Sequence, residues 1–168
     1  MYQVGERVIY GSNGVCEINE IKMIEVPHTY EEKAYYVMKP LFQDCKISVP
    51  VDTKVFMRYV ITREDAESLI AQISQVDAQP YYNTALRQLQ DYYETKISTH
   101  SCEDLLTLLV SLHRKKAAVL AQKRKFGAID ERYMKRAEDL LFGELAVALE
   151  MTKAEVRKLM IDRLAEVI

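Results

Sequence analysis

Thr62-Arg63-Glu64-Asp65-Ala66-Glu67-Ser68-Leu69-Ile70-Ala71-Gln72-Ile73 is the stretch on which the fold turns. Before it, apolar residues come in short β-rich runs; from it onward they recur at helical spacing. Thr62 with Asp65 three positions on has the form of a capping box, Asp standing where Glu is usual. Leu69, Ile70, Ile73 and Val76 then form one apolar stripe. A change of period from two to 3.6 within a single chain predicts an α+β protein in two parts. Residues 1–61 are expected to form a small β-barrel, and residues 62–168 an all-α domain of about five helices.

Upstream of Thr62, Val8-Ile9-Tyr10 is a short strand and Gly11-Ser12-Asn13-Gly14 a turn, with Asn and Gly suited to positive φ. Val15 to Val26 is a longer strand in which Cys16, Ile18 and Glu20 would share a face. Ile21, Met23 and Ile24 break that alternation, so a bend or bulge is expected within it. Pro27 to Glu32 is a polar loop. Ala34 to Met38 and Cys45 to Pro50 are further strands, the second closed by a proline that cannot donate to a ladder. Val55 to Val60 supplies a short last one. Closure into a barrel would remove exposed edges.

Downstream, Asp77-Ala78-Gln79-Pro80 is a break, with Pro80 suited to the first turn of a second helix. Tyr82, Leu86, Leu89 and Tyr93 make that helix amphipathic, and Tyr81 falls off the stripe and should be exposed. Ser101-Cys102-Glu103-Asp104 starts a third helix. Its first half, Leu105 to Leu112, is apolar on nearly every side and belongs at the centre of a bundle. The pattern runs on to Phe126, with Gly127 as its terminator. A fourth helix opens near Ile129 or Asp130 and carries Leu140, Leu141, Leu145 and Leu149. Thr152-Lys153-Ala154-Glu155 is a full capping box for a fifth, with Val156, Leu159, Met160 and Leu164 inward.

The chain has 168 residues, 49% apolar and 29% charged, the proportions of an ordinary globular protein. No window holds the ~18 apolar residues of a membrane span, and Met1 to Glu6 has neither the basic nor the apolar region of a secretory signal. The odd, widely spaced cysteines Cys16, Cys45 and Cys102 point to a reducing, cytoplasmic compartment, where they act as small buried apolar residues. The formal charge is −2, but its distribution is uneven. Between Ser111 and Arg136 stand nine basic residues: Arg114, Lys115, Lys116, Lys123, Arg124, Lys125, Arg132, Lys135 and Arg136. Only Asp130 and Glu131 oppose them, which leaves +7 in that stretch. Such a run is either a solvated helix face or a phosphate-binding patch. Likewise Tyr81, beside these cations, is either a stacking group or an incidental surface tyrosine.

Enzymatic motifs are missing. No phosphate loop, dinucleotide fingerprint, nucleophile elbow or zincin motif is present. His28, His100 and His113 lie in different elements, none at metal-ligand spacing with cysteines. Glu103 and Asp104 fit the electrostatics of a helix's first turn. An enzyme, a cofactor and a bound metal are therefore not expected.

Three segments resemble a known family. Val4-Gly5-Glu6-Arg7-Val8-Ile9-Tyr10-Gly11-Ser12-Asn13-Gly14-Val15 is similar to the opening of the CarD/CdnL family of bacterial transcription regulators. Ala34 to Met38 and Ile47-Ser48-Val49-Pro50-Val51 resemble its later strands. Gly127 to Ala146, with Gly143-Glu144-Leu145-Ala146, resembles its late helical motif. The resemblance implies a Tudor/SH3-like N-terminal module that binds the RNA polymerase β subunit, similar to a module of the transcription-repair coupling factor. It also implies a helical domain that contacts promoter DNA at the minor groove and backbone, without sequence specificity, and stabilises the open complex. Polymerase-facing positions are then Lys22, Lys39, Ser48 and Pro50. DNA-facing positions are Tyr81, Tyr82, Arg87, Lys123, Arg124, Lys125 and Lys135. The family's characterised members carry a tryptophan wedge at the start of the second C-terminal helix; here Tyr81 or Tyr82 is the nearest match. An arginine of the family's polymerase face falls at Ser48, where a bidentate contact is lost. The expected location is cytoplasmic and nucleoid-associated; the oligomeric state, monomer or domain-swapped dimer, is left open, since small modules with short hinges can swap. The alternative reading is an interaction or structural module whose helical domain contacts protein instead of DNA.

Overall fold

The computed structural model describes residues 1–168, which divide into Met1–Val60 and Ile61–Ile168. The first unit holds strands β1 (Arg7–Tyr10), β2 (Val15–Glu25), β3 (Glu32–Pro40), β4 (Ile47–Pro50) and β5 (Met57–Tyr59). They form one antiparallel sheet in the order β4-β3-β2-β1-β5. The sheet is open, so the expected closed barrel is corrected to a sheet with two edges. Those edges are blunted: β5 has three residues, β4 has four and ends in Pro50.

The β1–β2 turn is a 3₁₀ turn, Gly11–Asn13, closed by Tyr10 N–H donating to the Gly14 carbonyl at 3.0 Å. The glycines, Gly11 and Gly14, take the positive φ there, and Asn13 does not. At Gly11 a Cβ would also come within 2.9 Å of the Val55 side chain, so only glycine fits. In β2 the register slips between Ile18 and Glu20, with Asn19 as the extra residue. This bulge turns the second half of the strand over. Cys16 and Ile18 therefore share the inner face with Ile21, and Glu20 lies on the outer face with Lys22, contrary to the simple alternation. The inner face packs a small core of Val8, Tyr10, Cys16, Ile18, Tyr36, Met38 and Val49. Cys45 is exposed, outside the cores that bury Cys16 and Cys102, because it lies in the loop before β4.

The second unit holds α1 (Arg63–Ala71), α2 (Leu86–Ile97), α3 (Cys102–Ala121), α4 (Ala128–Leu149) and α5 (Lys153–Ala165), with a 3₁₀ turn at Ile73–Gln75. Three of the helix starts are capped by hydroxyls placed as the sequence implies. Thr62 accepts from Asp65 N–H at 3.1 Å, Ser101 from Asp104 N–H at 3.4 Å, and Thr152 from Glu155 N–H at 3.1 Å. Leu106, Leu109 and Leu112 of α3 and Leu141, Phe142 and Leu145 of α4 share a core that also takes Tyr93, Val156, Met160 and Leu164. No helix is long and apolar enough to cross a membrane.

Two boundaries differ from the sequence reading. Pro80 opens no helix: residues 76–85 are irregular, and α2 starts at Leu86. Tertiary contacts hold that segment extended. The Ala78 carbonyl accepts from Arg114 at 2.7 Å, and Asn83 Oδ1 accepts from Ala85 N–H at 2.8 Å in a turn that places the helix start after it. Leu86, expected on the buried stripe, is exposed as a result. The second difference is at Gly127, which is the N-cap of α4 and not the terminator of α3. Helix α3 ends at Ala121 through left-handed Lys123 (φ 57°). Arg124 N–H reaches the Val119 carbonyl and Lys123 N–H the Leu120 carbonyl, both at 3.0 Å, which is a Schellman closure without glycine.

Candidate functional site

Two regions carry the residues singled out from the sequence. In the first unit, strand register decides which side chains share a face. Lys22 pairs with Tyr35 and Tyr35 with Pro50; Glu20 pairs with Val37 and Val37 with Ser48; Glu17 pairs with Lys39. Tyr35, Val37 and Lys39 alternate along β3, and Tyr36 and Met38 between them are buried in the core. Hence Lys22, Lys39, Ser48 and Pro50 all lie on the outer face of the sheet. Lys22, Lys39 and Ser48 are exposed, and Pro50, Tyr35 and Val37 are half-buried. The face is mixed in charge: Glu20 stands 3.7 Å from the Lys22 ammonium, an exposed pair worth little.

In the second unit the basic run is broken up. Lys115 is 5% exposed, buried although it belongs to the basic run, and its ammonium bonds Asp130 at 2.9 Å. Asp130 also accepts from the Tyr93 hydroxyl at 2.5 Å. Burial, and then the bond to that carboxylate, push the Tyr93 hydroxyl far above its ordinary range. Arg114 is used on the carbonyls of Ala78 (2.7 Å) and Val167 (3.3 Å). Arg136 bonds Glu94 at 2.6 Å, and that bond, with a second from the Tyr133 hydroxyl, holds the Glu94 carboxyl below its usual range. Lys116 stands 3.9 Å from Glu131. Arg132 lies over the Tyr133 ring. The run is thus not one helical face. Lys123, Arg124 and Lys125 stand exposed in the α3–α4 loop, and Lys135 is exposed on α4.

The two tyrosines exchange the roles expected of them. Tyr81 is half-buried and stacks on Tyr92, centroids 3.8 Å apart and planes 11° from parallel. Tyr82 is 56% exposed, and the Lys115 ammonium lies 5.0 Å from its ring centroid. Both precede α2, outside its helical period, so the stripe logic did not apply to them. Arg87 is exposed on the first turn of α2.

A groove of about 360 Å³ gathers several of these residues: Tyr82, Leu86, Lys115, Arg124, Lys125 and the α4 start at Gly127 and Ala128. Arg87, Lys123 and Lys135 do not line it. The sequence reading missed Lys115, Asp130 and Tyr93 as a buried network. A signal was present, because Leu108, Leu112, Lys115 and Val119 fall on one helical stripe, three of them apolar.

Of the histidines, His28 is exposed, and half-buried His113 lies 3.2 Å from the buried carboxylate of Glu138, which also accepts from Arg157 at 2.8 Å. Burial raises the Glu138 pKa, but the bonds from His113 and Arg157 outweigh it and hold the carboxyl below its usual range. Glu144, in the Gly143-Glu144-Leu145-Ala146 motif, is buried and accepts from Ile61 N–H at 2.9 Å, so that motif serves the architecture. No group of three or more His, Cys, Asp or Glu is placed to hold a metal ion.

Comparison with known proteins adds one finding. No curated protein matches the chain. The family model described as CarD-like/TRCF RID domain matches residues 2–61, the whole five-stranded unit but for its first residue. The match supports an RNA polymerase-interacting, transcription-related role. The N-terminal unit of this chain thus matches the CarD-like/TRCF RID domain.

Proposed function

We propose that the protein is a transcription regulator, without enzymatic activity, that binds the RNA polymerase β subunit through the outer face of its sheet. Its helical domain then contacts promoter DNA and stabilises the open complex. The observation that carries this reading is the RID match over residues 2–61. It is supported by the gathering of Lys22, Lys39, Ser48 and Pro50 on one accessible sheet face. Such a face, half apolar along Tyr35 and Val37 and ringed by charges, suits a protein partner. On the DNA side, exposed Lys123, Arg124, Lys125 and Lys135 supply phosphate contacts, and Tyr82, not Tyr81, is the aromatic free to meet DNA. The place of action is the cytoplasm, at the nucleoid.

Co-purification of the tagged full chain from its host tests the first part. RNA polymerase subunits in the eluate support it, and their absence overturns it. The second reading, a helical domain that contacts protein, draws on the basic residues used internally: Arg114, Lys115 and Arg136 are bonded within the unit. Salt dependence discriminates the two, because phosphate contacts release counterions and affinity then falls steeply with salt. Absence of binding to forked promoter DNA, polymerase present, favours the second reading.

A further inference from the structure

We propose that the groove between Tyr82, the α3–α4 loop and the start of α4 is a seat for one nucleotide, with the base against Tyr82 and the phosphate at Arg124 and Lys125. The inference rests on the DNA-contact reading of the helical domain and sharpens it: a single unpaired nucleotide is held in a cavity, not only a duplex backbone on a surface.

A fixed cation lies against the ring of Tyr82. Tyr93 donates to Asp130 at 2.5 Å, Lys115 donates to the same Asp130 oxygen at 2.9 Å, and the Lys115 ammonium lies 5.0 Å from the Tyr82 centroid. Lys115 and Asp130 are both buried, so the cation cannot swing away. Tyr82 is 56% exposed, which leaves surface for a planar partner. An aromatic with a fixed cation against it and surface left exposed can serve as a stacking platform.

The groove's volume of about 360 Å³ falls within the ~300–1,000 Å³ of small-molecule sites. Its walls divide by chemistry. Leu86, Leu89, Val119 and Ile129 offer apolar surface, and Arg124 and Lys125 bring two cations to the rim. Asp130 is the carboxylate in the lining, and its charge is matched by Lys115. Beside the cations α4 begins at Gly127, but its first turn already carries Asp130 and Glu131, so the positive charge at this end is that of Arg124 and Lys125. A bare anion would leave the platform and apolar wall unused. An acidic peptide side chain would leave the platform unused. A flat heterocycle joined to a phosphate uses both.

That chemistry has two sources, a free mononucleotide or one nucleotide of a single strand, and one experiment separates them. Labelled oligothymidine, the same strand in duplex, and free thymidine monophosphate as competitor are titrated against the full-length protein by fluorescence anisotropy. The single strand is expected to bind more tightly than the duplex. Thymidine monophosphate should displace it, at concentrations like those of the oligonucleotide if the free nucleotide is the source, or much higher ones if the strand is. Y82A should weaken binding roughly tenfold or more, Y82F should preserve it, and the R124A/K125A pair should weaken it and flatten its salt dependence. Tyr82, Arg124 and Lys125 are exposed, and an unchanged circular dichroism spectrum verifies folding. Equal binding of duplex and single strand with no displacement by the mononucleotide overturns the seat but leaves DNA contact standing. Failure of all three probes overturns the seat, and forked promoter DNA with polymerase present then decides the DNA-contact reading separately.

Discussion

The outer face of the sheet and the basic stretch of the helical unit reach opposite outcomes from similar-looking charges. On the sheet, Lys39 and Ser48 alternate with buried residues, Lys22 pairs alongside them, and strand geometry sends all three to the outer face. On α3 and α4, the basic residues are spread around helices that are buried on most sides. Lys115 is drawn inside onto Asp130, Arg114 ties down two carbonyls, and Arg136 pairs with Glu94. A strand of period two presents alternate residues on one face whatever its partners do. On the buried side of a central helix a charge has to find a partner.

If the helical charges are structural and the sheet charges are not, variants should separate accordingly. The largest effect is expected from D130A, which strands a buried ammonium and removes the Tyr93 acceptor. The loss should be about 3–5 kcal/mol in urea unfolding of the full chain. A loss below about 1 kcal/mol would make Lys115 as dispensable as a surface lysine.

E138Q should cost about 1–3 kcal/mol, because His113 and Arg157 lose the carboxylate. The sign with pH follows from the lowered carboxyl. Its stabilisation is complete above the unfolded pKa of about 4.3 and is lost as pH falls through the lower folded value. The gap between wild type and variant in unfolding midpoint should therefore shrink on acidification and stay level towards neutral pH.

On the sheet the effect should be on binding alone. S48R restores a bidentate donor on the outer face and should tighten binding to RNA polymerase by about tenfold, the ~1.4 kcal/mol of one charge-assisted contact. Its unfolding midpoint should move by no more than about 0.5 kcal/mol equivalent. The smallest effect is expected from K123G. Lys123 closes α3 in a left-handed conformation, so glycine should raise stability by about 0.5–1 kcal/mol, read as a higher Tm.

What the sequence made legible follows the same division. The period change at Thr62, the bulged strand and the caps at Thr62, Ser101 and Thr152 are local signals, and each is written in a few adjacent residues. The open sheet was not legible, since closure depends on how the short outer strands β4 and β5 end. Pro80 and Gly127 were misread because either residue type fits a helix start, a helix stop or a turn. Arg114 on Ala78 and the left-handed Lys123 settled the choice, and both are contacts or conformations that no local pattern fixes. The exchange of roles between Tyr81 and Tyr82 has the same origin: the stacking partner Tyr92 lies on a helix that starts only after them.

The central claim is that polymerase binding belongs to the outer face of the sheet. Its most direct test is a titration of purified RNA polymerase with the full chain and two variants, K22E/K39E on the sheet and R124A/K125A in the helical unit. The account predicts roughly tenfold or greater loss of affinity for K22E/K39E, and wild-type affinity for R124A/K125A in the absence of DNA. Wild-type affinity for K22E/K39E, or a loss confined to R124A/K125A, would contradict it.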